Sequence, residues 1–337
     1  MEQAGGKMTL GWAARDSSGH LSTYIFSRRP PGDDDVTIKV LFCGVCHTDL
    51  HVIKNEWGNT MYPVVLDPFF ISARLLTVHK LARRHEVVGI VTDVGSGVTK
   101  FKVSDMVGVG YFVDSCRACD SCKAGQESYC PDLVQASNGP SPRRRRAAAV
   151  RRRHGLNAPG KHLGVVGLGG LGHLAVKFGK AFGMKITVIS TSPEKRGEAL
   201  DRLGADAFLV SRDEGEMKAA AGTMDGVIDT VSAGHPVAPL LELLKPRGQM
   251  VVVGAPSKPL EVPALAIVAG GKRVAGSGGG GVAECQAMLE FAGEHGIVAD
   301  VEVVGMDYVN TAIERLERND VRYRFVVDVA GSMAPVA

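Results

Sequence analysis

The chain has 337 residues, 45% hydrophobic and 22% charged, enough for two domains each with its own core. Its formal charge of +3 comes from seven arginines between Arg143 and Arg153, without which the remainder sums to −4, so a generally basic surface is excluded. No apolar run is long and glycine-free enough to cross a bilayer, and Met1 to Lys7 lacks the apolar core of a signal peptide; a cytoplasmic protein without membrane partners is expected.

From Met8 to Tyr111 the pattern predicts β structure, with strands at Val36–Leu41, Val87–Val94 and Met106–Gly110 punctuated by Pro30-Pro31-Gly32 and Gly95-Ser96-Gly97. Within it, Cys43-Gly44-Val45-Cys46-His47-Thr48-Asp49-Leu50-His51 marks a strand giving way to a helical turn. Next comes Cys116-x2-Cys119-x2-Cys122-x7-Cys130. Four thiolates so spaced can enclose one tetrahedral ion, and a set with no open position predicts a structural zinc. Ferredoxin-type iron–sulfur ligation uses similar gaps and is the rival reading. In a cytoplasmic chain this spacing favours metal over disulfides.

The texture then changes. Residues 137–158 hold Gly139-Pro140-Ser141-Pro142 and the arginine–alanine run, which predict a solvated, disordered linker. The run has no interleaved aromatics and no supporting fold, so no nucleic-acid partner is expected.

A glycine-rich pattern follows. A short apolar run, Leu163–Val166, predicts a buried parallel strand. Gly167-Leu168-Gly169-Gly170-Leu171-Gly172 fits G-x-G-x-x-G, and a helix over His173–Phe182 ends at Gly183, where a left-handed cap is expected. A second run, Lys185–Ile189, completes a βαβ unit. Here Gly167 permits the tight turn, Gly169 lets a pyrophosphate approach the backbone, and Gly172 lets the helix pack closely. Free N–H groups at the helix start then favour the phosphates. An NAD site would place Asp or Glu at the end of the second strand. This chain has Ser190-Thr191-Ser192-Pro193-Glu194-Lys195-Arg196, whose hydroxyls and cations suit a 2′-phosphate; NADP(H) is expected. Ser192 also suits a helix cap with Pro193 at the first helical position, and both roles can hold together.

Alternation continues with a helix over Glu194–Leu203, strands at Ala207–Val210 and Val227–Val231, a helix over Val237–Leu244, a strand at Met250–Val253 and a helix over Val282–Gly293. This predicts an α/β fold with a doubly wound parallel sheet of about six strands. The tail, 298–337, reads strand, helix (Tyr308–Glu317), strand (Tyr323–Val329), returning to the first domain.

Three stretches, Cys43 to His51, Cys116 to Pro131 and Gly160 to Asp328, together resemble the zinc-dependent medium-chain alcohol dehydrogenases, and among them the plant cinnamyl alcohol dehydrogenase family. The specific phrases are Gly167 to His173, Val188-Ile189-Ser190-Thr191-Ser192-Pro193 and Asn319-Asp320-Val321-Arg322-Tyr323-Arg324-Phe325. The resemblance implies a GroES-like catalytic domain over 1–136 and a Rossmann domain over 159–297. It implies a homodimer that interconverts aromatic aldehydes and alcohols of the cinnamyl type with NADPH, as in lignin precursor synthesis. It also implies a catalytic zinc on Cys46, His85 and Glu86, and a proton relay through Thr48 and His51, extended by Glu56.

The chain departs from the family pattern twice. Leu66 to Arg84 is an insertion ahead of His85, and the arginine-rich segment replaces several dozen residues that carry a third catalytic cysteine ligand. No cysteine lies between Cys130 and Cys285. Both odd segments read as translated non-exonic sequence. The alternative expectation is therefore a nucleotide-binding remnant that keeps only its structural zinc.

Overall fold

The computed structural model describes residues 7–28, 30–66, 70–72, 86–135 and 154–332. His85, most of the Leu66–Arg84 insertion, and residues 137–153 of the expected linker lie outside them. The chain divides into two units, one made of 1–119, 130–143 and 300–337, the other of 120–129 and 144–299.

The first unit begins with β1 (Lys7–Ala14), β2 (Leu21–Arg28) and β3 (Val36–Val45), then the helix α1 (His47–Ile53). Strands β4 (Val64–Leu66), β5 (Phe70–Ser72), β6 (Val87–Val94), β7 (Met106–Val109), β8 (Phe112–Asp114) and β9 (Val134–Gln135) follow; the short helix α2 (Asp120–Lys123), between β8 and β9 in the chain, belongs to the second unit. The sheet β2-β1-β4 is antiparallel. The predicted strand at Val36 runs on to Val45, and its buried positions change from Val36, Ile38 and Val40 to Cys43 and Val45 across a register shift between Val40 and Phe42.

The second unit contains β10 (His162–Val166), α3 (Gly172–Ala181), β11 (Lys185–Ser190), β12 (Ala207–Val210), α4 (Glu214–Ala219) and β13 (Met224–Asp229). It continues through α5 (Ala238–Glu242), β14 (Leu244–Val252), α6 (Ala264–Val268), β15 (Arg273–Gly276) and α7 (Val282–Glu294). Its six strands are all parallel, in the order β12-β11-β10-β13-β14-β15. The order reverses at β10, and in such a sheet the crevice beyond the strand ends at that point is where nucleotides bind. One face packs Val166, Ile189, Val227 and Met250 against Leu240 and Leu241 of α5.

The helix expected over Glu194–Leu203 is instead a 3-10 turn, Pro193–Lys195, followed by a π-helical stretch, Glu198–Arg202. Arg196 and Gly197 between them keep helical backbone angles, so the segment is helical throughout but changes its winding. The predicted strand at Tyr323 starts one residue later. In the first unit, β16 (Val301–Val304), α8 (Val309–Glu317) and β17 (Arg324–Asp328) complete the mixed sheet β16-β17-β3-β6-β7. Phe325 and Val327 of β17 enter the same core as Val40, Cys43 and Leu50. Among the described residues no helix is long and apolar enough to cross a membrane.

Candidate functional site

In the second unit, β10 delivers the chain into the glycine turn. Gly167 has φ +86°, a conformation that side-chain-bearing residues seldom adopt. The hydroxyl of Thr230, just past β13, donates to Val166 O at 2.7 Å and lies 3.2 Å from Gly167 O, fixing the turn from the neighbouring strand. A Cβ at Gly169 would meet nothing, leaving open space for a ligand to approach the backbone. One at Gly172 would overlap the Gly167 carbonyl oxygen, so the helix can begin this close to the turn only with glycine. Gly170 and Leu171 complete the turn, and α3 follows with no side-chain cap. His173, fully buried, places Nδ1 3.0 Å from Gly169 O.

At the end of β11, Ser190 is buried and its Oγ accepts from Ser192 N at 3.2 Å, which bends the chain through Thr191. Lys195 Nζ turns back toward the glycine turn and reaches Leu168 O at 3.4 Å. Arg196 turns the other way: it pairs with Glu216 Oε1 at 2.6 Å, donates to Phe208 O at 3.2 Å and stacks over the Phe208 ring at 5.1 Å. The two adjacent cations therefore face different neighbours, Lys195 the glycine turn and Arg196 the strand β12 and Glu216.

In the first unit, Cys46 caps α1. Its sulfur accepts from Thr48 N at 3.3 Å, while Asp49 Oδ2 accepts from Cys46 N at 2.8 Å, a reciprocal capping box. The helix therefore fixes Cys46, Thr48 and His51 together. His51 Nδ1 lies 2.5 Å from Glu56 Oε2, and its ring is 5.1 Å from Trp57. Two buried polar atoms here, Thr48 Oγ1 and His51 Nε2, find no hydrogen-bond partner. Such orphans are costly in a folded chain and call for an unfilled partner.

Glu86 folds across Gly44, where any Cβ would overlap its carboxylate. Arg324 of β17 joins it, with Nε 3.4 Å from Glu86 Oε2 and an N–H donated to Val45 O at 3.2 Å. Burial would push the Arg324 pKa down, but Glu86, the Cys46 sulfur and Asp49 outweigh it and raise it. Sequence reasoning missed Arg324 as a site residue. The available signal was an arginine next to the strictly buried Phe325 in a strand.

The four cysteines of the loop come together with all sulfurs within 4.8 Å of one another. A tetrahedral zinc with Zn–S bonds near 2.3 Å puts its sulfurs about 3.8 Å apart, so the set fits that ion. Backbone N–H groups of Ala118 and Cys119 lower the Cys116 pKa to about 7, favouring the thiolate that binds metal. Cys119 N donates to Cys116 Sγ and Cys116 N to Cys130 Sγ, both at 3.3 Å. Cys122 sits on α2. Among the described residues this is the one group of three or more His, Cys, Asp or Glu side chains able to share an ion. Cys46 and Glu86 are placed in the first unit, whereas His85, assigned with them, lies outside the described residues.

Two family models match the chain, an alcohol dehydrogenase GroES-like domain over residues 32–171 and a zinc-binding dehydrogenase over 170–294. A probable cinnamyl alcohol dehydrogenase from rice, Oryza sativa subsp. japonica, is 63% identical over 369 residues, spanning 98% of this chain and 97% of its own length. That alignment is longer than the chain itself, so the relative carries stretches for which this chain has no counterpart. A solved cinnamyl alcohol dehydrogenase from Sorghum bicolor superposes with TM-score 0.89 and 62% identity, covering 98% of this chain and 100% of the other. One from Helicobacter pylori, complexed with NADP(H), gives TM-score 0.82 at 26% identity over 97% of this chain and 100% of the other. The glycine turn, the four-cysteine loop and these matches over nearly the whole length agree: the chain belongs to the zinc-dependent medium-chain alcohol dehydrogenases, within the plant cinnamyl alcohol dehydrogenase family.

Proposed function

We propose that the chain catalyses the reversible NADPH-linked reduction of cinnamyl-type aromatic aldehydes to alcohols, as a cytoplasmic homodimer. The observation that carries this reading is the pair of orphaned polar atoms, Thr48 Oγ1 and His51 Nε2, three residues apart on the helix that Cys46 caps. Reduction adds a hydride to the carbonyl carbon and a proton to its oxygen. The reduced nicotinamide, when bound, supplies the hydride. Thr48 gives its hydroxyl proton to the forming alkoxide, and His51, steadied by Glu56, restores it.

The open approach at Gly169 supports pyrophosphate binding at the turn formed by Gly167, Gly169, Gly170, Leu171 and Gly172. The hydroxyls of Ser190, Thr191 and Ser192, with Lys195, receive the 2′-phosphate. Arg196 adds long-range charge, since its guanidinium is already committed to Glu216. Cys116, Cys119, Cys122 and Cys130 hold the structural zinc. A second zinc, on Cys46, His85 and Glu86, would polarise the carbonyl oxygen.

A second reading has its own support: Glu86 is paired with Arg324, and no cysteine lies between Cys130 and Cys285. On it the chain binds nucleotide and keeps only the loop zinc. Purified protein assayed with coniferaldehyde and NADPH, alongside metal analysis, separates the two. Turnover with about two zinc ions per chain supports the dehydrogenase; NADPH binding without turnover, at about one zinc, supports the remnant.

A further inference from the structure

A parallel sheet buries both its faces, and here the two faces are filled differently. The face carrying Val166, Val227 and Met250 is closed by α5. On the opposite face, Leu163 of β10 and Ile228 of β13 floor an apolar cavity of about 220 Å³. Its wall is the side of α3 that carries Leu174, Ala175 and Phe178, and Met288 of α7 contributes from the other side. At Gly179 the same helix presses onto β11, where a Cβ would overlap Ile186. The helix is thus tight on one flank and stands off on the other.

A separate observation bears on the same space. The thirteen residues of α7 include none that is buried, although the helix is rich in apolar side chains. Its main tie to α3 is Phe291, whose ring stacks 4.4 Å from Phe182 and 6.1 Å from Phe178. The helix covers one side of the cavity without filling it.

We propose that this cavity is a binding site for a small uncharged aromatic molecule of one or two rings, separate from the hydride-transfer site. No ionisable side chain lines it, so an ion would lose its hydration without recompense. Water is disfavoured too, since apolar cavities stay dry, and one of roughly 150 Å³ accepts benzene. Phenylalanine rings and methionine sulfurs in the lining favour aromatic faces and edges. Two polar side chains line it, the amide of Asn157 and the hydroxyl of Thr230, whose proton is already given to Val166 O. The hydroxyl can only accept and the amide oxygen can accept too, so the site favours a ligand carrying one N–H or O–H.

The test is a titration of the full chain with indole, without cofactor or aldehyde, so its outcome is independent of catalytic activity. Saturable binding of one indole per chain, a rise in Tm, and NMR shifts at the Met184 and Met288 methyls are expected. Indole-3-carboxylate should not bind. Ala175→Leu fills the cavity and should weaken indole at least tenfold, while Leu265→Ala, at a side chain 76% exposed elsewhere in the unit, should leave binding unchanged. Non-saturable uptake, equal binding of the carboxylate, or unchanged affinity in A175L would overturn the assignment. Should A175L not fold, the methyl shifts on the unaltered chain decide: shifts at Met184 and Met288 support the site, and their absence refutes it.

Discussion

The four-cysteine loop and the surroundings of Cys46 both contain candidate metal donors, yet they are built on opposite plans. The loop takes all its sulfurs from Cys116 to Cys130 and bonds them with its own backbone N–H groups. The Cys46 region gathers Cys46, Glu86 and Arg324 from three distant parts of the chain. A contiguous motif keeps its geometry whatever is inserted or lost elsewhere; a dispersed one depends on every segment between its members. The departures at Leu66–Arg84 and in the arginine-rich stretch fall between members of the dispersed cluster and leave the contiguous one whole.

The sharpest way to break this comparison is to remove one ligand from each cluster. Cys130→Ser should release the loop zinc and lower Tm severely, since structural zinc in small folds contributes about 10–16 kcal/mol of binding free energy. Cys46→Ser should leave Tm nearly unchanged. Metal analysis and calorimetry on both variants decide it; equal destabilisation would mean that the Cys46 region also holds the fold together.

Next in size is the proton path. Thr48→Ala should cut turnover by about 10²–10⁴-fold, the usual contribution of a positioned acid or base, while NADPH affinity holds. Steady-state kinetics and a binding titration read the two separately. Should T48A retain full activity, the orphaned hydroxyl has some other purpose.

A smaller effect distinguishes the adjacent cations. Lys195→Ala should weaken NADPH well over NADH, whereas Arg196→Ala should lower stability by about 1 kcal/mol through the lost Glu216 pair and alter cofactor choice less. Comparing affinities for both cofactors in the two variants tests this; a larger NADPH loss in R196A would reverse the roles.

The smallest concerns pH. The His235 pKa is raised above 6.5, chiefly by the carboxylate of the fully buried Asp229, with Nε2 and Oδ2 3.1 Å apart. The charged form is favoured in the folded state. Its contribution is therefore complete below pH 6.5 and fades as pH rises through the higher folded value. Tm measured across that window should fall slightly, and His235→Gln should flatten the slope.

How much of this could be read from residues alone follows the same division. The glycine turn, Gly183 as a left-handed cap and the four cysteines are local, and each residue's reason lies within a few positions of it. The change from 3-10 to π winding between Pro193 and Arg202 was hidden because the periodicity is helical throughout. Arg196 looked free to meet a phosphate because Glu216, twenty residues on, is brought to it only by the turn after β12. Arg324 escaped notice for the same cause, its partner Glu86 lying far off in the chain, just ahead of β6. The cavity has no sequence signature, since a residue beside a void is as apolar as one beside a neighbour.

The imidazole of His173 has an effect on its surroundings larger than its size. Sealed from solvent, it commits its Nδ1 proton to the Gly169 carbonyl, which also receives the His173 backbone N–H at 3.0 Å. That oxygen's lone pairs are spoken for on the inner side of the loop. An arriving polyanion is thus spared the repulsion of a bare carbonyl and meets amide hydrogens instead.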